Sequence, residues 1–454
     1  MKKVLKLWLS IVLIAAMVIS VAACSKPNTA SQQGTKTQST AADDSKKFAG
    51  QTIRYVAANH MWNDSIKGAI PDFEKQTGIN VSLESYAEDQ LTQKLTIEFT
   101  SGNATIDAFM TRPLQEGKLF FKNNWYAPLD SYVNDTTKTP ADWNWNDFMK
   151  ANVKATTEGG KLVAIPLVNE CETLFYRKDL FDQAKIQPPT TLDELEAAAK
   201  KLHNPSAEMY GIVSRGNLGA AVTQFSSYLY GFGGDFIKDG KSVVDSPEAV
   251  KAFQFYGRIL HDYGPPGVVN MSWPQAVALF ASGKAAMYTD ASVMLAQMTD
   301  PSKSKIAGNI GVTTFPAGPA GQKPYMITSW ALAIPEKSKH KDAAWEFIKW
   351  STNKQNMTKG QIDGVSQTRN SVWSDPAVTA KLIPGFEAVS KKSAEIGVPY
   401  DRPIMVSVVE ARDAIGEVIV KSITNGGTGD IAGLAKEAAR KMNEMLQKAG
   451  EGGK

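Results

Sequence analysis

Two α/β lobes joined by extended crossovers are the architecture this sequence predicts, on three grounds. Strand-like and helix-like patterns alternate from Ile53 onward, the mark of mostly parallel sheets flanked by helices. A chain of 454 residues, 43% of them hydrophobic, exceeds what one core normally holds. Residues 161–181 read as two strand-like pieces, Leu162-Val163-Ala164-Ile165 and Thr173-Leu174-Phe175-Tyr176, around the polar island Asn169-Glu170-Cys171-Glu172. Pro166 removes a backbone donor and is expected to interrupt pairing at Ile165. Such a connector suits a chain leaving one domain for another, and its carboxylates would lie in the cleft between them.

Residues 1–20 place Lys2, Lys3 and Lys6 ahead of an apolar run that continues to Ala23, the pattern of a secretory signal. Val21-Ala22-Ala23-Cys24 resembles the bacterial lipobox, which implies acylation of Cys24; an uncleaved membrane anchor is the alternative. Residues 25–47 are rich in Ser, Thr, Gln, Ala and Lys. They are expected to stay disordered, as a tether with a reach of roughly 25–30 Å. Without Lys2, Lys3 and Lys6 the 50 basic residues fall to 47, against 46 acidic ones. That balance gives no reason to expect nucleic acid as a partner. Once Cys24 is acylated, Cys171 stands alone, so no internal disulfide is expected. We read Cys171 as an unreactive thiol near the hinge.

The elements follow in order. Ile53-Arg54-Tyr55-Val56-Ala57 is a strand, and Ile66, Ala69, Ile70 and Phe73 mark a helix from about Trp62, kinked at Pro71. Ile79-Asn80-Val81-Ser82-Leu83 alternates as a second strand; Leu91, Leu95 and Phe99 mark a second helix; Ile106-Asp107-Ala108-Phe109-Met110 is a third strand. Ligands of such sheets bind beyond the carboxyl ends of the strands, where Asn59, His60 and Trp62, then Glu88 and Asp89, then Thr111 and Arg112 stand. Thr191-Leu192-Asp193-Glu194 is a capping box. Gly211-Ile212-Val213 leads a strand into Ser214-Arg215-Gly216, and Ser246-Pro247 opens another helix. A helix from Ser272-Trp273 precedes the strand Lys284-Ala285-Ala286-Met287-Tyr288. Further helices are expected from about Ile404 and from Asp430.

Gly160-Lys161-Leu162-Val163-Ala164-Ile165-Pro166 and Leu174-Phe175-Tyr176-Arg177-Lys178-Asp179-Leu180-Phe181 together resemble the first hinge crossover of the family 1 extracellular solute-binding proteins. Those are the sugar receptors of ABC importers, to which the maltose-binding proteins belong. Gly283-Lys284-Ala285-Ala286-Met287 with Phe280 and Asp290, Gly311-Val312-Thr313-Thr314-Phe315-Pro316, and Trp330-Ala331-Leu332-Ala333-Ile334-Pro335 extend the resemblance over almost everything after residue 50. It implies a two-lobed, periplasmic-binding-protein-like fold of type II. Residues 1–23 would be the signal peptide and 24–49 the lipidated cysteine and tether. Residues 50–167 and 316–371 would form the first lobe, and 168–315 and 372–454 the second. A third passage between lobes is expected at residues 366–372.

A sugar offers hydroxyls to bidentate polar groups and a C–H face to aromatic rings. Trp62, Asp89, Glu170, Arg215, Trp273, Asp290, Trp330 and Arg369 supply that mixture at predicted strand ends. Some have simpler roles open to them. Trp273 could pack at its helix start, Asp290 could cap a helix, and Arg369 could hold a structural carboxylate. Trp345 and Trp350 are read as packing. The four histidines have no metal-ligand spacing, and neither a nucleophile elbow nor a phosphate loop occurs. The expectation is a monomeric lipoprotein, without cofactor or metal, that captures a sugar or polyol and delivers it to the transmembrane subunits of an ABC permease. A secreted carbohydrate-active enzyme and a sugar-sensing lipoprotein are the alternatives.

Overall fold

The computed structural model describes residues 46–103 and 105–453; the leader, Cys24 and most of the tether lie outside the described residues. Lys46–Ala49 form a hydrogen-bonded turn, and Phe48 packs on the core. Part of the stretch assigned to the tether is thus packed, because Phe48 finds an apolar face.

Eight strands build two sheets that share one member. They are β1 (Thr52–Ala58), β2 (Asn80–Tyr86), β3 (Ala108–Thr111), β4 (Ile165–Arg177), β5 (Tyr210–Val213), β6 (Ala285–Ala291), β7 (Ile310–Thr314) and β8 (Met326–Ala333). The first sheet runs β2-β1-β3-β8-β4, and the second has β4 between β7 and β6, with β5 beyond β6. Both are mixed. β1, β2 and β3 are parallel, as are β5 and β6, but the crossover strands β4 and β8 run against their neighbours.

The hinge connector differs from its expected form. It is one strand of 13 residues, from Ile165 to Arg177, with Cys171 opposite Met326 in one sheet and Thr173 opposite Asp290 in the other. Pro166 is accommodated because it faces Ala331 where the register slips at Leu167 of its own strand, and bulges tolerate a missing donor. Its carbonyl accepts a hydrogen bond from Thr368 Oγ1 at 2.8 Å.

The third passage also lies later than expected. Asn169 N donates to Ser366 O, and Val168 bridges Gln367, so residues 366–369 stay beside the first sheet. The short helices Asn370–Trp373 and Pro376–Thr379 pack on helix Lys354–Ile362, which lies against the helix after β1. Only with the helix Phe386–Ile396, which packs on β7 and β4, does the chain reach the second sheet. Hydrogen-bonded polar residues thus occupy what looked like a linker.

Helix signals hold well. Thr191 and Glu194 form the reciprocal capping box of helix Leu192–Leu202, and Ser246 caps Pro247–Tyr263 by accepting from Ala249 N. Trp345 is buried, with its Nε1–H donated to Thr139. Among the described residues no helix is long and apolar enough to cross a membrane.

Candidate functional site

The carboxyl ends of β1, β2 and β3 converge on one cleft, as parallel sheets dictate. After β1, His60 caps the helix Met61–Ile66 through Nδ1, which accepts the Trp62 N–H at 3.0 Å. After β2, Glu88 opens helix Glu88–Ser101, and after β3, Arg112 precedes helix Pro113–Lys122. The second sheet contributes Arg215 from the end of β5, and Trp273 comes from the start of helix Trp273–Ala281. The hinge strands add Glu170, Ser329 and Trp330.

The outer cleft encloses about 670 Å³ and is lined by Asn59, Asp89, Arg112, Arg215, Trp273 and Arg412 among others. It continues into a narrow inner pocket of about 40 Å³ that reaches His60, Glu170, Trp330 and Arg402. Glu88, Arg112, Arg215 and Trp273 border both spaces.

Each guanidinium is held by a different device. Arg112 reaches Glu88 Oε2 and Glu116 Oε1, both at 2.9 Å, and its carbon lies 5.3 Å from the Trp330 ring centroid. Burial works against charge on Glu88, yet Arg112 and Arg215 hold its carboxyl below the ordinary range. Arg215 Nε donates to Asp290 Oδ2 at 2.9 Å; that carboxylate also accepts from Gln224, Tyr288 and the Ala291 N–H. Arg402 pairs with its neighbour Asp401.

Helix Pro113–Lys122 ties the lobes together along one face. Gln115 Oε1 accepts from Arg402 Nη1 at 2.6 Å and from Arg412 Nη1 at 2.7 Å. Lys118 meets Glu451 at 2.7 Å, and Lys122 donates to Ala449 O. The spacing of these residues, i, i+3 and i+7, is that of a single helical stripe.

Of the eight residues the sequence singled out, Asp89, Glu170, Arg215, Trp273 and Trp330 line this space. Asp290 is fully buried behind Arg215 and positions it. Trp62 and Arg369 do not reach the cleft. Trp62 is fully buried against Gly360, because the helix turns it inward while its neighbours His60 and Met61 face the pocket. Arg369 is locked into the first lobe by main-chain carbonyls and Asp147. Glu88, Arg112 and His60 stood at predicted strand ends without being singled out. Asp401, Arg402 and Arg412 were missed; adjacent opposite charges between Tyr400 and Pro403, in an otherwise apolar stretch, were the available signal.

Two buried groups lie beside the hinge. Burial pushes the Cys171 thiol up, which disfavours the reactive thiolate. Glu172 is completely buried, neither oxygen makes a well-formed hydrogen bond among the described residues, and burial raises its carboxyl well above the usual range, with nearby Ser227 opposing the shift and Asp290 adding to it. A raised folded value means stability that is intact below the unfolded value of about 4.3 and lost as pH rises from there. Glu172→Gln never ionises, so its melting temperature should match wild type near pH 4 and overtake it as pH rises. The gap should grow by at most about 1.4 kcal/mol per pH unit. Parallel melting curves at every pH would mean that the carboxylate is compensated in the fold.

Two lobes closing on a polar cleft with aromatic walls define a receptor for a small solute. Residues 62–358 match the bacterial extracellular solute-binding proteins, and the chain belongs to that family. It is 29% identical over 380 residues to a mannitol-binding protein of Pseudomonas aeruginosa, covering 78% of this chain and 84% of that one. It is 28% identical over 343 residues to an erythritol/L-threitol-binding protein of Mycolicibacterium smegmatis, covering 71% of each. A solute-binding protein of an ABC transporter from Agrobacterium radiobacter K84, solved in complex with ribitol, superposes with a TM-score of 0.80 at 29% identity, covering 87% of this chain and 99% of that one. These relatives are binding proteins, and this chain is a binding protein rather than an enzyme.

Proposed function

We propose that this protein captures a small polyol or sugar outside the cell and delivers it to the transmembrane subunits of an ABC importer. The observation that carries the reading is the cleft itself. Carboxylates and guanidinium groups from both lobes converge between Trp273 and Trp330, the mixture that hydroxyl-rich ligands require. Relatives named for mannitol and for erythritol or L-threitol, and a neighbour solved with ribitol, favour open-chain polyols within that class. Binding would close the lobes around the ligand, and the closed form is what a permease would recognise. Cys24 would tether the protein, as a monomer, to the outer face of the cell membrane.

Melting the purified protein against erythritol, ribitol, mannitol, maltose and amino acids tests this. A ligand present at a hundred times its Kd should stabilise the fold by about 2.7 kcal/mol, and Glu170→Ala should abolish most of that shift. A shift with amino acids alone would overturn the proposal.

A further inference from the structure

The fold sets the tautomer of His60. Its Nδ1 accepts the Trp62 N–H at 3.0 Å, so in the neutral ring the proton is carried by Nε2. His60 is 7% exposed, and its Nε2 has no hydrogen-bond partner among the described residues. It faces Glu170 Oε1 at 3.9 Å, beyond the reach of a direct hydrogen bond. The Glu170 carboxylate accepts no hydrogen bond from the described residues either, although the residue is only 8% exposed. A committed donor and a committed acceptor thus face each other across the inner pocket without meeting.

One hydroxyl completes that geometry. An oxygen about 2.8 Å from each group can donate to Glu170 and accept from His60, with an angle at the oxygen of roughly 90°. An ammonium group cannot accept and a carbonyl cannot donate, so neither can do both. The pocket also limits what carries the hydroxyl. A water needs roughly 10–15 Å³ of such space, so about 40 Å³ admits the few heavy atoms of a chain end, not a six-membered ring. Trp330, whose ring centroid lies 5.4 Å from that of His60, is the apolar wall for the attached carbons.

We infer that His60 and Glu170 together hold one terminal hydroxyl of an open-chain polyol, His60 donating to it and Glu170 accepting from it. This rests on the polyol reading of the cleft. It makes His60 a specificity residue that selects chain ends over rings.

The test is titration calorimetry of the purified protein with D-mannitol and ribitol, and with the analogue of each that lacks both terminal hydroxyls. His60→Asn keeps a good helix cap, since Asn is among the preferred capping residues, but removes the Nε2–H. Wild type should bind the parent polyol at least tenfold more tightly than its dideoxy analogue. In His60→Asn that preference should shrink to within about threefold, through weaker binding of the parent alone; the fold-change converts to about 1.4 kcal/mol per factor of ten. Glu170→Gln is the second variant should His60→Asn fold poorly, and the preference should fall there too. An undiminished preference in both variants would overturn the inference while leaving the polyol reading in place. A wild-type protein that binds neither mannitol nor ribitol would overturn that reading, and the inference with it.

Discussion

Arg369→Ala is expected to destabilise the protein by about 3–5 kcal/mol, the cost of breaking a buried ion pair by removing one partner. The folded fraction should keep its ligand affinity. The Arg369 guanidinium is 1% exposed and donates to Thr352 O at 2.9 Å, Trp143 O at 2.8 Å and Asn144 O at 3.2 Å. It meets Asp147 at 3.1 Å and lies 4.1 Å from the Phe148 ring centroid. Truncation strips three carbonyls and a carboxylate at once. Burial opposes charge on Asp147, but Ser371 and Arg369 hold its carboxyl below the ordinary range. Its depressed value means stability that is present above the unfolded value of about 3.9 and lost as pH falls through the folded one. The deficit of Arg369→Ala should therefore be largest near neutrality and shrink in acid. Denaturant unfolding checks the first part and calorimetry the second. Normal stability with weakened binding would return Arg369 to the ligand site.

Arg369 also marks where sequence reasoning stops. Periodicity locates strands and helices because burial imposes it, so β1, the capped helix at Thr191 and the strand end before Arg215 were all legible. Strand ends pointed to the cleft for the same reason, and five of the eight chosen residues line it. What the pattern does not encode is which way a polar or amphipathic residue faces. Trp62 and Arg369 have the chemistry of a sugar site, yet one is turned into the core and the other is tied to main-chain carbonyls far along the chain. Arg402 and Arg412 have the opposite history. They are brought to Gln115 only by the third passage between lobes, from 287 and 297 residues along the chain, and no local spacing announces that. Pro166 misled in a third way, because the pairing slips at Leu167 beside it and resumes, so the lost donor bends the ladder without ending the strand.

Asp290→Ala should have the other large effect, on stability and binding together. Asp290 is fully buried and receives Arg215, Gln224, Tyr288 and the Ala291 N–H, while Arg215 carries its charge to the cleft wall. Removing the carboxylate leaves an uncompensated buried guanidinium, which costs about 3–5 kcal/mol. It also frees Arg215 from the fork that aims it, so ligand affinity should fall by at least tenfold. The double variant Asp290→Ala with Arg215→Met separates the two consequences. Replacing a buried pair by apolar side chains is often neutral or stabilising, so the double variant should recover most of the stability lost in Asp290→Ala. It should not recover binding, because the donor to the ligand is gone. If the double variant bound ligand like wild type, Arg215 and Asp290 would be a structural pair that merely borders the cleft. If instead it remained as unstable as the single variant, the loss would lie with Gln224, Tyr288 and the Ala291 amide, whose hydrogen bonds the carboxylate also satisfies.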